Sequence, residues 1–174
     1  MVRLLVSRLV SYPKDIKIEQ NESASSKRYI ITISANLADQ PKLIGSSASN
    51  IRALEEIVKR AAEVQGSKAS LILLTPHTGK EEGRNKYKDN KSWGDADENS
   101  FLDDVQSVVF SVCRGDIVVG SLTKKGEEKS VITAESVVAG GDEDISESLH
   151  ASLRIIFHAW GRAAGRNINF YFIK

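Results

Sequence analysis

The residues Pro41, Lys42, Leu43, Ile44, Gly45, Ser46, Ser47, Ala48, Ser49, Asn50, Ile51 and Arg52 carry an apolar pair into a run of small side chains that opens a helix. The first N–H groups of a helix have no partners inside it, so these donors and the helix dipole can together hold a phosphate oxygen. Small side chains let such an anion come close to the backbone. Four cations accompany the run: Lys42 before the turn, Arg52 one turn into the helix, and Lys27 and Arg28 in an earlier turn. All four are expected to face one polyanion. Lys and Arg outnumber Asp and Glu by 11 to 7 over residues 1–75, against 5 to 6 over 76–100 and 8 to 10 over 101–174. The electrostatic case for a polyanion therefore attaches to the first part of the chain.

Other chemistries find less support. His77, His150 and His158 lack metal-ligand spacing, and no Gly-x-Ser-x-Gly elbow, Walker loop or pair of catalytic carboxylates is present. No enzyme, cofactor or metal is expected. The single cysteine, Cys113, excludes an internal disulfide framework, reads as a small buried hydrophobe, and fits a reducing cytoplasm. The apolar start, Met1 to Val10, contains Arg3 and Arg8 and is too short to span a bilayer, so neither a targeting nor a membrane segment is expected.

Positioning the loop requires an ordered set of elements. Val2, Leu5, Val6, Leu9 and Val10 fall at helical spacing, and Pro13 ends that helix. Ile16 and Ile18, then Tyr29, Ile31 and Ile33, alternate as two strands of a hairpin around the polar stretch Gln20 to Arg28. After a loop from Ala35 to Lys42, the residues Ile51, Leu54, Ile57, Val58, Ala61 and Ala62 form an amphipathic helix closed near Gly66, and Leu71 to Leu74 read as a buried strand. Residues 76–100 show no hydrophobic period and read as a polar linker, although Arg84, Lys86, Tyr87, Lys88, Lys91 and Trp93 interleave cations with aromatics.

The order then repeats over residues 101–174: a helix from Leu102 to Val112, strands at Ile117 to Leu122 and Val131 to Ala134, a helix from Leu149 to Trp160 ending at Gly165, and a strand from Ile168 to Ile173. Asp15 and Ile16 correspond to Asp116 and Ile117, Leu54 to Leu153, Ile57 to Ile156, and Gly66 to Gly165, as an internal duplication predicts.

Over residues 1–75 this order, with the segment KLIGSSASNIRALEEIVKRAA and the strand SLILL, resembles the type II KH domain, most closely the small bacterial KH RNA-binding proteins of the KhpA family. The resemblance implies an α+β protein, a tandem of two αββααβ units, each a three-stranded sheet covered by helices, with residues 1–75 as the first and 101–174 as a degenerate second. It also implies a Gly-x-x-Gly loop that clamps the backbone of a single RNA strand beside an apolar groove. Here the loop reads Gly45, Ser46, Ser47, Ala48, and the implied RNA-binding residues are Lys27, Arg28, Lys42, Ile44, Gly45, Ser46, Ser47, Ala48, Asn50 and Arg52. Alanine in place of the second glycine permits close phosphate approach only if its φ is negative.

The corresponding second loop, Ala139 to Asp144, is acidic, and its carboxylates would repel phosphate. The sequence therefore points to a non-catalytic single-stranded RNA-binding protein whose second unit packs on the first or on a protein partner. The competing reading is a KH-like pair that serves protein interaction or dimerisation without RNA. A duplication that replaces a homodimer predicts a monomer.

Overall fold

The computed structural model describes residues 1–23, 27–75, 95–113, 117–119, 123–124, 129–136 and 146–173. It is a mixed α+β structure. Helix α1 (Val2–Ser7) turns Leu5 and Val6 inward, and a 3-10 turn at Pro13–Asp15 leads to the sheet. Strands β1 (Lys17–Ser23) and β2 (Arg28–Ser34) pair antiparallel, from Lys17 opposite Ser34 to Ser23 opposite Arg28. The chain then forms α2 (Gln40–Ile44), a short turn, and α3 (Ser49–Val64) before returning as β3 (Lys68–Leu74), parallel to β2, so the sheet order is β1-β2-β3.

The second half starts with α4 (Asp95–Val112). Strands β4 (Ile117–Val119) and β5 (Thr123–Lys124) both pair antiparallel with β6 (Lys129–Ser136), and α5 (Glu147–Ala163) leads to β7 (Asn167–Ile173), parallel to β6. Val119 faces Ala134 and Thr123 faces Val131, so four residue steps on one side of the ladder answer three on the other. This register step divides the edge into two strands, and the second sheet has four strands where three were expected. Both halves thus run helix, antiparallel strands, helix, parallel strand. Gly66 and Gly165, at φ +70° and +74°, occupy the left-handed position after α3 and α5.

Helix α3 packs on β3 and on α5, and α5 packs on β7, which places helices between the two sheets. The core runs without interruption through both halves: Leu5, Ile33, Leu54 and Ile57 belong to the same buried cluster as Phe101, Leu153, Phe157 and Trp160. Each such side chain contributes about 1.5–3 kcal/mol by leaving water. Three edge-on aromatic contacts, Phe101 to Trp160, Phe157 to Trp160 and Phe157 to Phe170, fill the second half's share. The indole N–H of Trp160 donates to the Leu5 carbonyl at 3.0 Å, and Arg8 forms an ion pair with Asp104, so α1 is tied to both later helices.

Several boundaries differ from the sequence reading. Strand β1 extends to Ser23, beyond the expected start of the turn, because an edge strand is held by its ladder and can expose polar side chains. Helix α2 starts at Gln40 inside the expected loop, with Pro41 in the first turn, where a missing N–H costs nothing. Strand β3 is an edge rather than a buried strand, and Ile72 and Leu74 are 45% and 49% exposed. Helix α4 claims Asp95 to Ser100 from the expected linker, consistent with the preference of carboxylates for a helix start. Residues 76–94 and the loop Ala139 to Asp144 lie outside the described residues. Among the described residues no helix is long and apolar enough to cross a membrane.

Candidate nucleic-acid interface

The approach to the loop is built on Asp39, whose side chain is almost completely buried at the start of α2. Its two carboxylate oxygens accept the N–H groups of Ser11 at 2.9 Å and Tyr12 at 2.8 Å, and the Lys42 ammonium lies 3.3 Å away. Lys42 also donates to the Ser11 hydroxyl. A buried carboxylate would be costly alone, but two charge-assisted N–H bonds and one cation offset its desolvation. The segment after α1 is thereby fixed to α2 immediately ahead of the loop.

Helix α2 ends at Gly45, whose φ of +74° and ψ of 176° lie outside the range open to other residues. Space is equally restrictive there: an added Cβ would sit 2.6 Å from Asn50 Cγ and 2.8 Å from the Asn50 backbone nitrogen. Asn50 is buried, and its Nδ2 donates to the Lys42 carbonyl at 2.7 Å, binding the end of α2 to the start of α3. Ser47 and Ala48 follow at φ +51° and +61°, two consecutive left-handed residues that are not glycine. Each costs on the order of 1–2 kcal/mol relative to ordinary backbone. The sequence condition of a negative φ at Ala48 is therefore not met: Ser47 and Ala48 lie in the short connection that turns the chain from the end of α2 into the first turn of α3.

Helices α3 and α5 begin differently. At α5, Ser146 occupies the N-cap and its Oγ accepts the Leu149 N–H at 3.2 Å, with Glu147 in the first turn. At α3 the N-cap is Ala48, no side chain caps the helix, and the first turn holds no acidic residue. The α5 start is closed by its own side chain; at α3 a 3-10 turn leads straight into the helix, with the Ala48 N–H donating to the Gly45 carbonyl at 3.3 Å and the Ser49 N–H to the Ser46 carbonyl, so the α3 start lacks a side-chain cap but not every backbone partner.

The expected site residues separate into three groups. Gly45, Ser46, Ser47 and Ala48 form the loop, with Ser46 and Ser47 exposed, Ile44 half-buried beside it and Arg52 exposed on the next helical turn. Lys42 lies near but is engaged by Asp39, and Asn50 is buried with its amide donating to the Lys42 carbonyl. Lys27 and Arg28 do not join the loop. The Lys27 carbonyl accepts the Lys68 N–H at 3.0 Å, and Arg28 is the register partner of Lys68, which follows α3 after only three residues. They therefore lie at the opposite end of the 16-residue helix, about 24 Å from the loop and beyond a Debye length of about 8 Å.

Asp39 and Tyr12 were missed by sequence reasoning, since Asp39 is anchored by residues 27 and 28 positions away in the chain. Among the described residues no group of three or more His, Cys, Asp or Glu is placed to hold a metal ion. Cys113 is buried at the end of α4, and His158 sets its Nδ1 3.2 Å from the Ile168 carbonyl. The interleaved cations and aromatics from Arg84 to Trp93 lie outside the described residues, as does His77. No family model matches the chain, and no curated protein matches it.

Proposed function

We propose that the protein is a non-catalytic single-stranded RNA-binding protein that holds backbone phosphate at Gly45 to Ala48 and the start of α3. The observation that carries this reading is the start of α3, which has neither a side-chain cap nor an acidic residue in its first turn and follows an exposed small-residue loop, against the serine-capped start of α5. The element order of the first half supports it. The order α1, β1, β2, α2, α3, β3, with an antiparallel pair followed by a parallel strand, is the order expected of a type II KH unit, and the loop falls between α2 and α3. The second half is then its degenerate copy.

Ala48 carries a methyl group through a left-handed turn suited to glycine, so phosphate contact is weaker than a glycine loop would give. Arg52 supplies the nearest exposed cation on α3, while Glu55, Lys59 and Glu63 balance the rest of that exposed face. That charge balance favours a second reading, a protein-interaction module without RNA.

Fluorescence anisotropy with a short labelled single-stranded RNA at low salt separates the two. Binding is expected, weakened at least tenfold by the double change Ser46→Asp and Ser47→Asp and by Arg52→Glu. Reversing Lys27 and Arg28 to Glu should change it little. Absence of binding by the unaltered protein, or loss on changing Lys27 and Arg28 but not the loop, overturns the proposal.

A further inference from the structure

We infer that Tyr12 is a base-stacking platform next to the loop, an inference that rests on the RNA-binding reading and adds to it a subsite for a nucleobase. Phosphate contacts at a backbone loop hold a strand without gripping its bases, whereas single-strand binders commonly add an aromatic face. Tyr12 is the exposed aromatic residue of the connection fixed against α2, with 42% of its surface open.

Its presentation is rigid. The Tyr12 N–H donates to Asp39 Oδ2 at 2.8 Å, the Ser11 N–H donates to the other carboxylate oxygen, and the Tyr12 carbonyl accepts the Asp15 N–H at 3.0 Å. Pro13 begins the following 3-10 turn and fixes the backbone beyond it. A ring displayed from so constrained a segment loses little conformational freedom on binding.

Its location also fits. Asp39 caps the start of α2 and Gly45 ends it, so the two are separated by about 9 Å of helix. A phosphate at Gly45 to Ala48 therefore leaves the neighbouring nucleotides within reach of Tyr12. Leu37, 52% exposed and two residues before Asp39, and Leu74, 49% exposed and paired with Ser34 at this same end of the sheet, extend the apolar surface on which an unpaired base can rest. Stacking on an aromatic ring tolerates all four bases.

The test measures binding of a short labelled single-stranded RNA and of a strand of equal length made of abasic nucleotides. Tyr12→Ala is expected to weaken RNA binding about tenfold, the scale of one lost stacking contact. Tyr12→Phe should restore most of it, and the abasic strand should bind the unaltered protein and Tyr12→Ala equally. If Tyr12→Ala binds RNA as the unaltered protein does while Ser47→Asp loses it, the stacking inference fails and the RNA-binding reading stands. Equal weakening on both strands also overturns stacking. If the unaltered protein binds neither strand, both fail.

Discussion

Replacing Ala48 by glycine is expected to stabilise the protein, the reverse of what this exchange does in ordinary backbone. At φ +61° the alanine carries about 1–2 kcal/mol of left-handed strain that glycine would not. Glycine adds about 0.5–1 kcal/mol of unfolded-state entropy. The balance is a gain of about 0–1.5 kcal/mol, which for a chain of this size raises Tm by up to about 6 °C. Urea unfolding followed by circular dichroism should show a higher midpoint at unchanged slope, and the control Ala53→Gly in the buried face of α3 should show a lower one. The same variant should bind RNA more tightly, because the methyl is gone from the phosphate side of the turn. A midpoint for Ala48→Gly that falls by 0.5 kcal/mol or more, about the ordinary penalty for glycine, would refute the left-handed assignment and the strain argument with it.

Two further perturbations read the anchor of the loop and the second half. Gly45→Ala meets both a positive φ and contacts under 3.0 Å to Asn50, so it should destabilise the protein by about 2 kcal/mol or more; Asn50→Ala, which strands the Lys42 carbonyl, should cost about 1–3 kcal/mol in the same unfolding assay. For His150, burial first and the Arg154 charge second lower the pKa below its ordinary 6.5. The unfolded chain then takes up this proton more readily than the fold, so stability falls as pH drops from 6.5 towards the lowered value, and the group has no effect well above 6.5. Unfolding at pH 7.5 and 5.5 should show the unaltered protein losing more stability than His150→Gln, and equal losses would exclude the mechanism.

The helices were legible because their apolar residues recur at the helical period: Leu54, Ile57, Val58 and Ala61 are buried in α3 as the spacing predicts, and Leu149, Leu153, Ile156, Phe157 and Trp160 in α5. The loop was legible as a place, since small residues between Ile44 and Ile51 mark a turn into a helix. Its conformation was not. Ala48 lies left-handed beside the bond from the Asn50 side chain to the Lys42 carbonyl, a contact that local propensity does not encode. Electrostatics misled most. Lys27, Arg28, Lys42 and Arg52 look like one basic patch in the chain, yet α3 separates two of them from the loop and Asp39 engages a third. Strand β1 was shortened because alternation fades where both faces meet solvent, and the ladder to β2 carries the strand instead.

The bond from the Trp160 indole to the Leu5 carbonyl joins positions 155 residues apart, and the packing of α3 on α5 spans about 100 residues of chain. On a ribosome adding about 5–20 residues per second, α3 emerges about 5–20 s before the end of α5. Throughout that interval the first sheet can pair its own strands, but the side of α3 that meets α5 has nothing to cover it. Translation therefore leaves a window of exposed apolar surface in the first half, which closes only once α5 has been made.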